Sequence, residues 1–510
     1  AILHHYTSGI STIEVTSKNA DRVVSEFARF FNNANNSPAA KYKSYVVSAK
    51  NDPAKISALK QLLDKNGIRY GQAASTRSLK GFNYGQGKEN SFAPTTEDLV
   101  ISAYQPRSNM VTVLFEPKSK LSDSITYDIT AWSIPYMYDL ETYATSERIA
   151  VKEPKEPVVF APINVIGKPY AYVAPWKSLQ DVKWLSHLLK NGIKVRYAEE
   201  AFEIQGKTFG VGSLIITRTG NEGLGDEFDR LVASSANEMQ RQVVPVTSGM
   251  VTKGKDFGSG GVRFIKAPRI GLMAGEGVSS LAFGEAWHFF EQQIQYPVTV
   301  LETGYFKSVN INDYDVLVFP GGSYNILDEA LVKQLGAWVE DGGKMILLES
   351  AIASFADAEG FSLSKYLNDE EKKEADAKKE ELSDRLKKYK NREREGISDI
   401  ISGGIVKLQI DNTHPLAFGY PNYYYSLKNN ATHYAYLKDG WNVGIIKDKS
   451  DLVSGFGGYK AKEKLANSMV FGVEEKGAGN IVYMVDNPLF RAFWHNGKLL
   501  FGNAVFMVGQ

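Results

Sequence analysis

Between residues 268 and 353 short apolar runs alternate with amphipathic stretches, and that alternation limits the fold more than any other feature of the chain. Arg269-Ile-Gly-Leu-Met273 reads as a strand, Gly275-Glu276-Gly277 as a tight turn and 279–293 as an amphipathic helix. Residues 314–319 form a second apolar strand closed by Pro320-Gly321-Gly322. Residues 327–340 return to helical spacing, and Lys344-Met-Ile-Leu-Leu348 is a third strand. Strands this apolar suit a parallel sheet covered on both faces, with helices carrying the crossovers.

Two smaller units precede this one. Residues 45–47 read as a strand, 53–63 as a helix, and Asn66-Gly67-Ile68-Arg69-Tyr70 as a return into a strand. The same succession recurs at 170–173, 179–189 and Asn191-Gly192-Ile193-Lys-Val195. Both helices end on Asn-Gly because the residue after a helix favours a left-handed backbone. Each copy continues to another strand, 98–102 or 212–216. A strand–helix–strand unit implies a right-handed parallel crossover. The expected class is therefore α/β: tandem small α/β modules followed by a flavodoxin-like parallel-sheet domain. The expected divisions are an N-terminal helix and linker (1–37), module 1 (38–150), module 2 as a repeat of it (151–262), and the larger domain (263–510). In the first segment Asn19-Ala-Asp21 offers a helix cap, and Val23, Val24, Phe27, Phe30 and Phe31 make an apolar stripe; the asparagine-rich 32–37 reads as linker. A charged helical insertion is expected at about 360–398, where Glu and Lys alternate at helical spacing. Beyond it 405–410 and 479–484 read as strands, and 499–507 as a closing helix or a buried strand.

Bulk composition excludes several functions. A net charge of +1 over 510 residues argues against nucleic acid and against docking on an anionic membrane. No apolar run reaches the roughly 18 residues of a transmembrane helix, and Ala1-Ile-Leu-His-His5 lacks the basic and apolar regions of a signal peptide. The chain has no cysteine, so disulfides, thiolate metal sites, iron–sulfur clusters and thiolate catalysis are excluded. Avoidance of thiols also favours an extracytoplasmic location.

Candidate site residues gather at the expected strand ends. Gly275, Glu276 and Gly277 could present backbone amides to an anion at a helix start. They lack the third glycine of a dinucleotide fingerprint, and no acidic residue convincingly ends the next strand. With Gly321, Gly322 and Ser350 they outline one crevice at the carboxyl ends of the strands. Ser350, after Glu349, is either a nucleophile or a cap for the next helix; the flanks Leu348-Glu349 and Ala351-Ile352 favour the cap. The seven histidines (His4, His5, His187, His288, His414, His433 and His495) are scattered, with no His-x-His or His-Glu-x-x-His spacing. Arg491, between Phe490 and Phe493, could pair with Asp486 and stack on Trp494, and its expected role is structural anchoring of the C-terminal segment.

The pattern from Arg269 to Ser350 resembles class I glutamine amidotransferases, whose nucleophilic cysteine follows the third strand on a strained elbow. Here the elbow reads Glu349-Ser350-Ala351. Taken with Ile401-Ser-Gly-Gly404, Asp411-Asn-Thr-His-Pro-Leu-Ala-Phe-Gly419 and Asp486-Asn-Pro-Leu-Phe-Arg-Ala-Phe-Trp494, the chain resembles the C-terminal region of Bacteroidetes-type zinc carboxypeptidases. The resemblance implies a non-catalytic accessory region of a secreted or periplasmic protein. It would pack on a peptidase domain of the same parent protein, or on another envelope subunit. No cofactor is expected in this chain; zinc is expected only in an attached peptidase domain. Two alternatives stand beside this expectation: an independent small-molecule binder or hydrolase using the strand-end crevice, and an interaction subunit of a cell-envelope assembly.

Overall fold

The structure, a computed structural model, describes residues 2–121, 123, 129–153, 160–165, 167–365 and 388–510. The core of the expected charged insertion lies outside the described residues. The chain divides into two compact units, one of Ala1–Pro117, Trp132–Pro135 and Leu140–Pro157, the other of Lys118–Ala131, Tyr136–Asp139 and Val158–Gln510.

The first unit opens with helices α1 (Ile2–Lys18) and α2 (Ala20–Asn36). Asn19 does not cap α2 with its side chain; its Nδ2 donates back to Val15 O at 2.8 Å. Main-chain bonds run through the junction, from Asn19 N to Val15 O (3.1 Å) and from Val23 N to Asn19 O (3.0 Å). Helix also covers most of the expected linker, because the stripe of α2 runs on to Ala34, which is buried.

There follow β1 (Ser44–Val47), α3 (Pro53–Lys65), β2 (Gly71–Ala73), the hairpin β3 (Leu79–Asn83) and β4 (Lys88–Phe92), β5 (Leu99–Ser102), α4 (Ser108–Phe115), the short α5 (Ile134–Tyr138), β6 (Thr142–Thr145) and β7 (Val151–Lys152). The strand order is β4-β3-β6-β1-β5-β2-β7, and every pairing is antiparallel. The expected adjacent parallel crossover is therefore corrected. β1 and β2 run the same way, but β5 lies between them and pairs with both. Leu99, Val100 and Ile101 of β5 are all buried, and a strand apolar on both faces belongs in the middle of a sheet.

In the second unit β8 (Ala171–Ala174), α6 (Leu179–Lys190), β9 (Val195–Ala198), the hairpin β10 (Phe202–Ile204) and β11 (Lys207–Phe209), β12 (Leu214–Thr217), α7 (Glu227–Glu238), β13 (Val244–Val246) and β14 (Val262–Ile265) follow the same succession. Their order β13-β8-β12-β9-β14 is antiparallel throughout and matches β6-β1-β5-β2-β7 position for position. Both sheets are split βαβ arrangements of the ferredoxin-like kind. Gly67 (φ 61°) and Gly192 (φ 71°) take the left-handed position that the Asn-Gly spacing predicts.

The largest sheet combines two halves. β15 (Ile270–Ala274), β16 (Thr299–Glu302), β17 (Val316–Phe319), β18 (Lys344–Leu348) and β24 (Gly479–Met484) pair in parallel in the order β16-β15-β17-β18-β24. By chain position this is 2-1-3-4-5, the flavodoxin-like order. An antiparallel half continues from β24 through β23 (Ser468–Lys476), β21 (Trp441–Ile446), β19 (Ile401–Ile410) and β20 (Tyr423–Lys428), with β22 (Leu452–Gly457) also on β19. Helix α8 (Ser280–His288) passes into a π-helical turn at Phe289–Ile294, and α9 (Glu329–Glu340) packs on β23 and β24.

The last helix, Gly497–Phe506, is buried along its whole length. That resolves the choice left open for 499–507, since a helix apolar all round belongs inside a fold. Phe501 packs on Phe289 and Phe290 with ring centres 5.0 and 5.7 Å apart. Lys344 Nζ, buried at the start of β18, donates to Ala504 O and Val505 O near the helix end. Asn503 ties this helix to neighbouring loops. Its Oδ1 accepts from Trp176 Nε1 at 2.7 Å, and its Nδ2 donates to Leu416 O and Phe418 O at 3.0 and 2.8 Å. Asn503→Leu strips all three partners and is expected to cost about 2 kcal/mol in urea unfolding, chiefly through the orphaned indole N–H.

Candidate functional site

The carboxyl ends of β15, β17, β18 and β24 meet at one place, and the loops after them build the site. Gly275 and Gly277 have left-handed backbone (φ 95° and 83°), and a side chain at Gly277 would collide with Ser323 O. That closeness lets the loop after β15 pair with the loop after β17. Ser323 N donates to Gly277 O at 2.7 Å, Ser279 N to Gly321 O at 2.9 Å, and Val278 and Gly322 form a bridge. Ser279 caps α8 through its side chain. Thr303 Oγ1 donates to Glu276 O at 2.9 Å, joining the same turn to the end of β16.

The elbow after β18 belongs to Glu349 rather than Ser350. Glu349 has φ 50°, a left-handed backbone uncommon in residues other than glycine. Ser350 is exposed, and its Oγ accepts from Gly322 N at 2.8 Å. That hydroxyl fastens the neighbouring loop, so the expected cap role gives way to a cross-loop bond. A 3-10 turn, Glu349–Ser354, follows. Gly321 is needed beneath the elbow, because a Cβ there would lie 2.8 Å from Glu349 Oε2.

The Glu349 carboxyl meets two residues from distant parts of the chain. Asn487 Nδ2 donates to Glu349 Oε2 at 3.2 Å and to Glu285 Oε2 at 2.6 Å. Asn487 is buried, and its own Oδ1 accepts from Leu489 N at 2.9 Å. Arg491 N donates to Glu285 Oε1 at 2.5 Å, and Arg491 and Ala492 both have left-handed backbone (φ 49° and 55°). Burial pushes the Glu349 carboxyl up to about 7, with repulsion from Glu285 and Asp486 adding to it against the Asn487 bond. Burial also raises Glu285. The arrangement holds a proton near neutral pH on one of two neighbouring carboxyl groups.

The crevice residues Gly275, Glu276, Gly277, Gly321, Gly322 and Ser350 thus lie on these facing loops. The bonds that join them run largely through backbone, with Thr303 and Glu349 nearby. Glu285 and Asn487 had no local signal in the sequence. The short strand β16 was also missed; it is an edge strand, and it ends on an acidic residue, Glu302.

Arg491 does not pair with Asp486. Its guanidinium lies 5.0 Å over the Phe490 ring, Asp486 pairs with Lys428 at 2.8 Å, and Trp494 Nε1 donates to Tyr425 O. The pairing partner was mistaken because Lys428 is far off in sequence, on β20. No histidine hydrogen-bonds Glu349 or Ser350 among the described residues. His414 Nδ1 accepts from Leu416 N, and burial pulls its pKa down to about 4. His495 stacks on Tyr138 with ring centres 4.6 Å apart. One His-x-x-Glu spacing does occur among the scattered histidines, at His288-Phe-Phe-Glu291; α8 ends at His288 and Glu291 is exposed. Among the described residues no group of three or more His, Cys, Asp or Glu side chains is placed to hold a metal ion. Among the described helices none is long and apolar enough to cross a membrane.

No protein-family model matches the chain, and no curated protein matches its sequence. Solved structures similar to part of it include a putative GMP synthase component from Thermoplasma acidophilum, at 12% identity and TM-score 0.29, covering 47% of this chain and 92% of that one. A putative ThuA-like protein from Parabacteroides merdae shares 14% identity at TM-score 0.27, over 46% and 88% of the two chains. A glutamine amidotransferase from Thermotoga maritima shares 12% identity at TM-score 0.26, over 43% and 76%. None of these three is a carboxypeptidase. The α/β class rests on the strand order itself.

Proposed function

We propose that the chain is a non-catalytic accessory region of a secreted or periplasmic zinc carboxypeptidase-like protein, packing on a peptidase domain or on a partner subunit. The observation that supports this reading is the elbow. Glu349 stands where an amidotransferase would carry its nucleophile, and its carboxyl is tied to Asn487 beside Glu285. Ser350 Oγ accepts from a backbone amide, and among the described residues no imidazole hydrogen-bonds it to take its proton. Zinc and its hydrolytic chemistry would belong to the attached peptidase domain.

Incubated with glutamine, or with C-terminal peptide substrates and added zinc, the full chain is expected to release neither ammonia nor amino acids above the buffer rate. Chelator-sensitive turnover would sink the proposal. Isolated from its source under native conditions, the chain is expected to carry, or to co-purify with, a peptidase domain.

One feature favours a second reading, a small-molecule binder or hydrolase at the strand ends. A carboxyl titrating near neutrality on strained backbone is the kind of group that active sites use. Thermal-shift screening with nucleotide, sugar and amino-acid sets separates the two. A saturable shift abolished by Glu349→Gln would favour the second.

A further inference from the structure

The helical arm of the first unit carries an apolar seam that is largely exposed among the described residues. α1 and α2, seventeen residues each, meet at Asn19, whose backbone (φ −112°, ψ 20°) leaves the helical range while Asn19 N still donates to Val15 O and Val23 N to Asn19 O. Counted from Leu3 in alternating steps of three and four, the chain meets Tyr6, Ile10, Ile13, Ser17 and Ala20. The same count continues through Val24, Phe27, Phe31 and Ala34. Nine of these ten positions are apolar. Leu3 is 77% exposed, Ile13 67%, Val24 66% and Phe27 67%, whereas only Ala34 is buried.

The period identifies what covers the seam. A straight α-helix has 3.6 residues per turn, so a strict seven-residue repeat drifts by about 20° per heptad. A flat protein face would lose contact with it over four heptads. A second helix wound around the first keeps contact throughout, with knobs entering holes at each step. Ile10 and Val24, both β-branched, share one heptad position with the polar Ser17 midway between them, and Tyr6, Ile13, Ala20 and Phe27 occupy the other seam position. In a parallel pair the flanking positions bring Gly9 to Glu14, Thr16 to Asp21 and Val23 to Ala28 of the other strand, so no like charges meet. Charge also argues against a membrane surface. The arm has three acidic residues (Glu14, Asp21, Glu26) and three basic ones (Lys18, Arg22, Arg29), and Lys18 pairs with Glu14 as Arg29 does with Glu26.

The available area is adequate. Each large apolar seam residue offers on the order of 100 Å² of apolar surface. The free seam from Leu3 to Phe27, widened by Ile2 and Val23, then approaches the roughly 800 Å² per partner of a stable interface.

We propose that a second copy of this same arm occupies the seam in a parallel, in-register two-stranded coiled coil, so that the chain is a dimer. Because the protein has no cysteine, single introduced thiols report the geometry cleanly. Sedimentation of the full chain at micromolar concentration is expected to give twice the chain mass. Under mild oxidation Ile13→Cys, in the seam, is expected to cross-link at least tenfold faster than Arg22→Cys on the outer face. Ile10→Glu combined with Phe27→Glu is expected to yield monomers whose sheet-bearing body still unfolds cooperatively as in the parent, since within one chain both side chains are exposed. A chain mass that stays single, a dimer that survives the double substitution, or equal cross-linking at the two thiols would each overturn the proposal. So would a monomer that sediments with anionic phospholipid vesicles.

Discussion

Lys428→Met is expected to destabilise the second unit by about 3–5 kcal/mol, the usual cost of stranding one member of a buried ion pair. Lys428 on β20 and Asp486 just past β24 are almost fully enclosed, with side chains 1% and 4% exposed, and Nζ lies 2.8 Å from Oδ1. Ser426 Oγ donates to the other carboxylate oxygen at 2.8 Å. Remove the ammonium and Asp486 keeps one hydroxyl bond but has no counter-charge in a low-dielectric interior. Replacing both partners is a different experiment. Lys428→Met with Asp486→Leu leaves no stranded charge and is expected to recover most of the loss, because burying the pair offsets much of its own attraction. Urea unfolding of the two single variants and the double variant measures the coupling. Losses below 1 kcal/mol in the singles, or a double variant worse than their sum, would contradict the account. The pair also bears on the site, since Asp486 immediately precedes Asn487.

Much of the parallel half of the large sheet was legible because its strands are continuous apolar runs. Residues 344–348 stand in the structure as read, and 269–273 and 314–319 differ by a residue or two at their ends. β16 was not legible; Thr299 and Glu302 are exposed and only Leu301 is buried, so neither alternation nor an apolar run announces it. The two split sheets show a different limit. Strand–helix–strand spacing gave the common direction of β1 and β2, but nothing local says that β5, beyond a hairpin, inserts between them. The site was half visible. Its glycine turns follow from sequence, since only a small residue fits at Gly277 and Gly321. Its chemistry does not, because Asn487 reaches Glu285 across 202 positions and Glu349 across 138. A hydroxyl is the nucleophile-like group at this elbow, so residue type points to Ser350, whereas the left-handed backbone of Glu349 has no signature in a non-glycine residue.

Stability is expected to fall between about pH 4.5 and 7 by up to about 3 kcal/mol on account of Glu349 alone, taking 1.36 kcal/mol for each pH unit between its ordinary 4.5 and about 7. The sign follows from which state holds the proton. Below about 4.5 the folded and unfolded chains both keep it, so the group adds no pH dependence. From there to about 7 the unfolded chain releases the proton while the folded chain retains it, and each rise in pH favours unfolding. Above about 7 the folded carboxyl ionises as well, and the loss levels off. The groups that set this behaviour come from several elements. Glu285 on α8 and Asp486 past β24 repel a charged Glu349, and Asn487 partly offsets them by donating to it. Glu349→Gln keeps the shape and the acceptor for Asn487 while removing the proton equilibrium. Its advantage over the parent chain is therefore expected to grow from near zero at pH 4.5 to its full value by pH 8, with the relief of repulsion on Glu285 included in the gain. Chemical-denaturation midpoints measured on the two across that range provide the comparison. Parallel curves would mean that the elbow carboxyl ionises freely in the folded chain, and that the packing around Gly321 and Asn487 does not hold its proton.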